Sequence, residues 1–323
     1  MDRKVPSTSA LTPSTTRKVN SPRSSSLKSI FIGLHGLRSG WRVLLFYSLL
    51  ASLIFLLVVS IRAIRAVLGL PPPHATNTLT PGRGLLNEGV ILFGVLLTSA
   101  IFARFERRSF AEYGLPFREA FGARFWEGLL WGFALMTVVL LVLRATGNFH
   151  FGSLGLAAEK IPEFALLWAL VFVVVGVAES FAFSGYALFA LTRGAGFWPA
   201  AAVLAFLFGG LHFVVNAGEN WLGSVNLVLA GLLLAFTIRR TGNLWFAIGL
   251  HAAWDWAQSF MYGVADSGVT VIGHLLNPSF QGSKWMTGGT VGPEGSVVTL
   301  LGYAFVFALI NFRFPRAKTE SPI

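Results

Sequence analysis

The sequence predicts an all-α protein, a polytopic membrane bundle of about eight transmembrane helices. Its mean hydropathy is +0.67, and 54% of its 323 residues are apolar while only 12% are charged. Soluble domains carry about 25% charged residues. In addition, several apolar stretches reach the roughly 20 residues with which an α-helix crosses the hydrocarbon core. Composition and segment length therefore lead to the same fold class.

Eight apolar segments are predicted to span the membrane, and each is bounded by loops that are richer in Gly, Pro or charged residues. They lie at about 42–61, 86–104, 125–145, 163–192, 197–217, 220–238, 243–263 and 296–313.

Basic residues indicate how the chain is organised around these spans. Residues 1–38 are rich in Ser, Thr, Pro, Lys and Arg and are predicted to form a disordered tail. The membrane-embedded domain is predicted at 39–315 and a C-terminal tail at 316–323. With the N-terminus inside, the cytoplasmic segments hold 19 of the 25 Lys and Arg residues. The positive-inside rule then predicts an integral, multi-pass membrane protein with both termini cytoplasmic.

Two features of the composition exclude or disfavour whole classes of function. The chain has no cysteine, which excludes disulfides, thiolate nucleophiles and Cys-ligated zinc or iron–sulfur centres. Its net charge of +11 is of the size seen in nucleic-acid-binding proteins. However, the Lys and Arg residues concentrate outside the spans, as membrane orientation requires. We therefore expect the lipid bilayer, and not a nucleic acid, as the partner of this charge.

Four ionisable side chains inside the predicted spans are candidate functional residues. Glu179 lies in the fourth span, His212 in the fifth, and His251 and Asp255 in the seventh. Such residues are costly at bilayer depth, usually face the bundle interior, and often mark a functional site. Each also has a structural interpretation: a buried hydrogen-bonded acid, a packing histidine, or a helix-stabilising His–Asp pair.

The helical rise predicts that these side chains meet. Glu179 precedes the basic end of its span at Arg193 by about 21 Å, and His212 lies about 22 Å into the next span. His251 and Asp255 are four residues apart and share a helix face. A carboxylate beside an imidazole can take a proton from water, and a second imidazole can stabilise an oxyanion. This combination is suited to amide hydrolysis within the membrane.

The same residues carry a resemblance to a known family. The segments ESFAFSG (179–185), FGGLH (208–212) and HAAWD (251–255) resemble E-E-x-x-x-R-G, F-x-x-x-H and H-x-x-x-N/D. These are the motifs of the CPBP family (CAAX protease and bacteriocin-processing, also called Abi), which includes the type II CAAX prenyl endopeptidases. The resemblance covers about 105–315. The segments TGNLWFAIGLHAAWD and WMTGGTVGPEG also resemble bacterial members, which implies a bacterial cytoplasmic membrane. It implies that Glu179 and His212 activate water, and that His251 and Asp255 serve the oxyanion.

The first motif is degenerate. Ser180 and Ser184 stand where the family has its second Glu and its Arg, four residues apart on one helical stripe. Loss of one member of an ion pair would leave an uncompensated buried charge, whereas loss of both can be nearly neutral. The pair is therefore interpreted as structural, and Glu179 keeps the catalytic position. Erosion of the motif is equally typical of a relative that has lost activity.

The metal requirement is left open by the sequence. Two histidines and a carboxylate could ligate zinc and leave a position for water, but the sequence has no H-E-x-x-H, the signature of zinc-protease helices. We therefore favour a metal-free glutamate mechanism over zinc. A dyad of Ser184 and His251 is a further alternative, although no glycine precedes this serine as a nucleophile turn demands.

The leading functional hypothesis is an intramembrane endopeptidase that hydrolyses a peptide bond of a membrane-bound or lipidated substrate. The competing hypothesis is a catalytically impaired family member that acts as a membrane scaffold or regulator, which the two serines motivate. A transporter is disfavoured because the halves of the chain show no inverted repeat.

Overall fold

The computed structural model describes residues 31–33, 36–70, 77–216 and 218–315. The chain divides into two compact units, Met1–Arg38 and Ser39–Ile323. Within the first unit, β1 (Ile32–Gly33) pairs antiparallel with β2 (Gly36–Leu37). Most of the predicted N-terminal tail, and all of the predicted C-terminal tail, lies outside the described residues.

The second unit is a bundle of α-helices, as the sequence predicts. In chain order they are α1 (Ser39–Val67), α2 (Pro81–Glu106), α3 (Ala123–Ala145), α4 (Ile161–Ser184), α5 (Tyr186–Ala195), α6 (Phe197–Val215), α7 (Trp221–Thr241), α8 (Trp245–Asp255), α9 (Lys284–Thr287) and α10 (Val297–Arg313).

Six helical segments of the described chain are long and apolar enough to cross a membrane. They are Ser39–Val67, Pro81–Glu106, Ala123–Ala145, Ala158–Ala195, Phe197–Val215 and Trp221–Thr241. The other two predicted spans are also helical but shorter: α8 continues into a π-helical turn, Trp256–Met261, and α10 has 17 residues. The all-α membrane bundle is thus confirmed, whereas a count of eight spanning helices is not.

The fourth predicted span is not one continuous helix, because it breaks at Gly185. This residue has φ −90° and ψ −117°, so α4 ends and α5 begins on either side of it. A Cβ on Gly185 would lie 2.4 Å from Cδ2 of Phe181 and 2.5 Å from its carbonyl oxygen. Only glycine fits this break, which lies about 1.7 turns after Glu179.

An ionic network closes the bundle beside this break. The hydroxyl of Tyr186, the first residue of α5, donates to Glu106 Oε1 at 2.7 Å. Arg42 on α1 forms an ion pair with the same carboxylate, and the Tyr113 hydroxyl donates to its other oxygen at 3.4 Å. The network joins α1, α2, α5 and the loop after α2, so it holds the broken helix in place.

Helix α8 lies at the centre of the bundle, with residues from Trp245 to Leu250 all buried. Glycines bring its neighbours into backbone contact. A Cβ on Gly132 of α3 would lie 2.0 Å from the Leu250 carbonyl oxygen, and one on Gly249 of α8 would lie 2.1 Å from that of Phe125. Small residues allow this close approach between membrane helices. The central position explains why α8 is shorter than a lipid-exposed span.

Adding a single methyl group at the α3–α8 contact is expected to destabilise the fold. The Gly132→Ala variant must push α3 away from Leu250, at a cost of about 1–3 kcal/mol. The matched control is Gly89→Ala on α2, where a Cβ meets nothing within 4 Å and alanine favours the helix. Thermal unfolding in detergent should show a lower Tm for Gly132→Ala only. Equal Tm values for the two variants would contradict the close contact.

Two long connections form the small strands of this unit. β4 (Phe149–Leu154) pairs antiparallel with β6 (Leu276–Phe280), and β3 (Thr78–Leu79) pairs parallel with β5 (Thr270–Val271). These pairings fold the Gly-rich segment that follows the π turn back onto the loops before α2 and after α3. This segment, residues 264–295, is thereby held over the end of α8 and is called the covering segment.

Candidate active site

Glu179 is the centre of the candidate site. It lies on α4, with its side chain 22% exposed, and each of its carboxylate oxygens faces a different imidazole. Oε1 lies 4.0 Å from His212 Nε2, and Oε2 lies 3.6 Å from His251 Nε2. The structure therefore brings together the acid and the two histidines singled out in the sequence.

The orientation of His212 is set by its own helix. Its Nδ1 lies 3.0 Å from the carbonyl oxygen of Phe208, one turn earlier on α6. A carbonyl can only accept, so Nδ1 carries the proton and Nε2 presents a lone pair to Glu179. The gap of 4.0 Å between that nitrogen and Oε1 exceeds a direct hydrogen bond. Separations of this size are commonly bridged by a water molecule.

His251 is shared between two carboxylates. Its Nε2 lies 3.6 Å from Glu179 Oε2 and 3.5 Å from Asp255 Oδ2. Its Nδ1 is buried and has no hydrogen-bond partner among the described residues. An N–H without an acceptor is costly to bury, so the proton belongs on Nε2, between the two acids. Asp255 thus lies where it can orient the ring, and all four predicted residues form one cluster.

The route by which these residues meet differs in part from the prediction. The depth of Glu179 was reckoned along a continuous helix to Arg193, and that helix breaks at Gly185. The meeting instead depends on how closely α4 packs on α8. A Cβ on Gly176, three residues before Glu179, would lie 3.0 Å from the Ile248 carbonyl oxygen. This close approach brings Glu179 within reach of His251.

Two further carboxylates lie next to Asp255, and the sequence argument missed both. Oxygens of Asp255, Asp266 and Glu294 lie within 4.8 Å of one another. Glu294 is 4% exposed and accepts hydrogen bonds from the Ser267 amide and hydroxyl, both at 2.9 Å. Trp254 Nε1 donates to its other oxygen at 3.3 Å. The segment after the π turn thus inserts an anchored acid beside the third motif.

Asp266 lies in this covering segment, outside the helices. Burial raises the pKa of its carboxyl group, and the charges of Glu294 and Glu179 raise it further. Ser259 Oγ donates to Asp266 Oδ2 at 3.3 Å. Three carboxylates this close cannot all remain ionised. We assign no cation to the group, because both oxygens of Glu294 are already bonded by protein donors.

Two more acids face the site and were not selected from the sequence. Glu219 lies in the loop before α7, where burial raises the pKa of its carboxyl group to about 7 and the charge of Glu294 contributes. Glu88, on α2, has a buried Oε2 without a hydrogen-bond partner among the described residues and interacts electrostatically with Glu179. The candidate site is therefore surrounded by several carboxyl groups.

The two serines of the degenerate motif are buried. Ser180 is 2% exposed and Ser184 is 6% exposed, and both line a narrow cavity that begins at Glu179 and His251. The chain therefore buries two neutral hydroxyls where the family pattern has an acid and a base. Neither residue leaves an unpaired charge, which fits the interpretation that both members of an ion pair were lost together.

Glu179, His212 and His251 fit zinc only in part. Both Nε2 atoms face one carboxylate, and the contact of His212 Nδ1 with Phe208 is of the kind that supports a metal-bound imidazole. A histidine that binds metal almost always donates its other ring N–H to a partner. His251 Nδ1 lacks such a partner in the described part of the chain. The donor set therefore fits zinc incompletely.

Comparison with known proteins bears on the segment that contains this cluster. The family model described as type II CAAX prenyl endopeptidase Rce1-like matches residues 161–257. Residues 161–257 are therefore similar to this family. The match runs from the start of α4 into the π turn and includes all three motifs, so the resemblance seen in the sequence is confirmed there. No curated protein and no solved structure matches the chain.

The Rce1-like segment is less than a third of the chain. The family to which this segment is similar is one of prenyl endopeptidases. Asp266 and Glu294 lie beyond the match, as does Glu88. These three acids therefore come from parts of the chain outside the segment that matches the family model.

Proposed function

We propose that this protein is an intramembrane endopeptidase of the CAAX-protease type, which hydrolyses a peptide bond of a membrane-associated or lipidated substrate. One observation carries the proposal: Glu179 faces the Nε2 atoms of His212 and His251 at 4.0 and 3.6 Å. A carboxylate between two imidazoles inside a helical bundle can act as a general base that takes a proton from water.

In the proposed reaction, a water molecule occupies the gap between Glu179 and His212. Glu179 takes one proton from this water, and the resulting hydroxide attacks the carbonyl carbon of the scissile bond. His251, with its proton on Nε2, stabilises the oxyanion, and Asp255 keeps its ring in place. The C–N bond then breaks as Glu179 returns the proton to the leaving amine. Protons and bonds balance without a further reactant.

The substrate class follows from the setting and the family match. The site lies among apolar helices, so a substrate must reach it from the bilayer or its surface. Prenylated C-terminal peptides of the Cys-a-a-X type are the substrates that the description of the matching family names. Lipidated peptides of this kind are the first candidates. The mechanism is proposed as metal-free, with zinc as the alternative.

The experiment uses purified full-length protein in detergent and a quenched fluorescent peptide that carries a farnesylated cysteine. We expect cleavage by the intact chain and none by His212→Ala, because His212 holds the attacking water. The same preparation is treated with a chelator, and cleavage is expected to persist. Chelator-sensitive cleavage that zinc restores would overturn the metal-free mechanism.

The buried hydroxyls of Ser180 and Ser184 support the alternative of a catalytically impaired family member. This alternative predicts that the His212→Ala protein restores the normal phenotype to cells that lack the protein. The proteolytic proposal predicts that it does not. Complementation by His212→Ala would therefore favour a scaffold or regulator over an enzyme.

A further inference from the structure

The connection between α2 and α3, residues 107–122, presents arginines and aromatic rings to the outside at one end of the bundle. Together with the last turn of α2 it forms an exposed patch, whose members are Arg104, Phe105, Arg107, Phe117, Arg118 and Phe121. The side chain of Phe105 is 84% exposed and that of Phe117 is 61% exposed. Aromatic rings and basic side chains at the ends of spanning helices are typical of the boundary between a membrane and water.

The arginines of this patch carry charge that the protein does not neutralise. None of the three has an anionic partner in the part of the chain that the structure describes. Glu119 accepts from the neutral amide of Asn243, so it offsets only one of these charges. The other acids of this stretch already have cationic partners: Glu106 pairs with Arg42, Glu112 with Arg108, and Glu127 with Arg124 and Arg313. The patch therefore remains positively charged.

The connection begins and nearly ends with a backbone conformation that favours glycine. Arg107 and Phe121 both have φ 55°, and Ser267 is the one other non-glycine residue with positive φ in the described chain. Arg107 follows α2 directly, and its N–H bonds to the carbonyl of Ala103, where a left-handed glycine commonly ends a helix. A Cβ is disfavoured in this conformation. Since glycine would relieve the strain, the arginine side chain at 107 is kept at a cost to the fold, which indicates a use outside it.

The connection is fixed to the helix that carries His251. The carbonyl of Gly114 accepts from the amide of Leu244 at 2.8 Å, and that of Pro116 accepts from Trp245 Nε1 at 2.9 Å. Leu244 and Trp245 lie at the start of α8. A ligand that binds the connection is therefore linked by direct hydrogen bonds to the first turn of α8, and its binding should stabilise the bundle.

We propose that this patch binds the headgroups of anionic phospholipids. The apolar spans α2 and α3 end and begin here, so the connection lies at the depth of the lipid phosphates. Guanidinium groups donate paired hydrogen bonds to phosphate oxygens, and Arg104 and Arg107 supply two of them at the end of α2. The neighbouring rings of Phe105 and Phe117 enter the interfacial layer. A soluble acidic partner would satisfy the arginines but leave these rings in water. The inference does not depend on the proposed function.

The experiment measures the Tm of the purified full-length protein in neutral detergent as lipid is added. Phosphatidylglycerol is expected to raise the Tm, and phosphatidylcholine with the same acyl chains is not. In Arg104→Gln and in Arg107→Gln, the phosphatidylglycerol concentration that gives half of the full shift should rise by about 5-fold. The matched control is Arg144→Gln, which removes an exposed arginine from the last turn of α3, at the opposite end of that helix. It should keep the original titration.

Two variants at residue 107 separate lipid binding from folding. Without lipid, Arg107→Gly should have a Tm equal to or above that of the original protein, because glycine favours the left-handed conformation, whereas Arg107→Gln should leave the Tm unchanged. Both variants should lose the same part of the response to phosphatidylglycerol. A Tm of Arg107→Gly below the original without lipid would show that the fold requires this side chain, and would overturn the inference.

Three other results would also overturn the lipid surface. An equal shift with phosphatidylcholine would show that the headgroup charge has no effect. Equal titrations for Arg104→Gln, Arg107→Gln and Arg144→Gln would show that the position of the positive charge has no effect. A full shift with glycerol phosphate or with polyglutamate, in the absence of lipid, would assign the arginines to a soluble phosphate or to an acidic protein. None of these results involves peptide cleavage, so each leaves the proposed function to its own test.

Discussion

Replacing Glu179 by glutamine is expected to lower kcat by roughly 10³- to 10⁴-fold, the upper end of the contribution of general acid–base groups. The amide keeps the size of the carboxylate but cannot take a proton from water between residue 179 and His212. Because this interaction is made only as the reaction proceeds, kcat and kcat/KM should fall equally while KM stays near its original value. Initial rates over a range of peptide concentrations measure both constants.

Glu163→Gln is the matched control for this variant. Glu163 lies in the first turn of the same helix, and its exposed side chain pairs with Lys160. Exposed ion pairs contribute little to stability, so this variant should keep both the Tm and the kinetic constants of the original protein. If Glu179→Gln retained the turnover of Glu163→Gln, the carboxylate would not be the base. A large rise in KM at constant kcat would assign it to binding instead.

The main architecture follows from the sequence because hydropathy decides which segments become helices. Each predicted apolar segment is helical, in one piece or in two, since a buried backbone must satisfy its own hydrogen bonds in lipid. The break at Gly185 could not be derived in this way. Glycine is tolerated inside membrane helices, and the break depends on a tertiary clash with Phe181. The short central α8 likewise reflects how completely its neighbours surround it.

The candidate site could be predicted where chemistry and helix periodicity coincide. His251 and Asp255 share a helix face at a spacing that any helix would impose. The prediction that Glu179 meets His212 assumed a continuous helix from Glu179 to Arg193. That helix is broken, although the two residues do meet. Glu88 also lies in a predicted span, so the rule that selects intramembrane acids would have identified it.

No comparable pattern in the sequence indicated the acids that follow α8. Glu294 lies 39 residues after Asp255, in a Gly-rich segment without periodicity. Its position depends on the long-range pairing of β4 with β6 and of β3 with β5. Such pairings between distant, irregular segments cannot be read from local pattern. Nothing in the sequence indicated that the covering segment supplies a buried acid.

Replacing Glu294 by alanine is expected to destabilise the protein by about 3 kcal/mol or more. In Glu294→Ala, the Ser267 amide, the Ser267 hydroxyl and Trp254 Nε1 lose their acceptor, and each buried donor left unpaired costs about 1–3 kcal/mol. The covering segment should then detach from α8 before the rest of the bundle unfolds. Thermal unfolding and limited proteolysis between Val264 and Gly295 measure the two effects.

Glu294→Gln separates the hydrogen bonds from the charge. Its amide oxygen can accept from Ser267, so most of the stability should return, while the negative charge beside Asp255 and Asp266 is removed. Glu159→Ala, an exposed acid before α4, is the surface control and should leave the Tm unchanged. If Glu294→Ala unfolded at the same temperature as Glu159→Ala, the anchored acid would not hold the segment. In that case the cluster around Asp255 would depend on the helices alone.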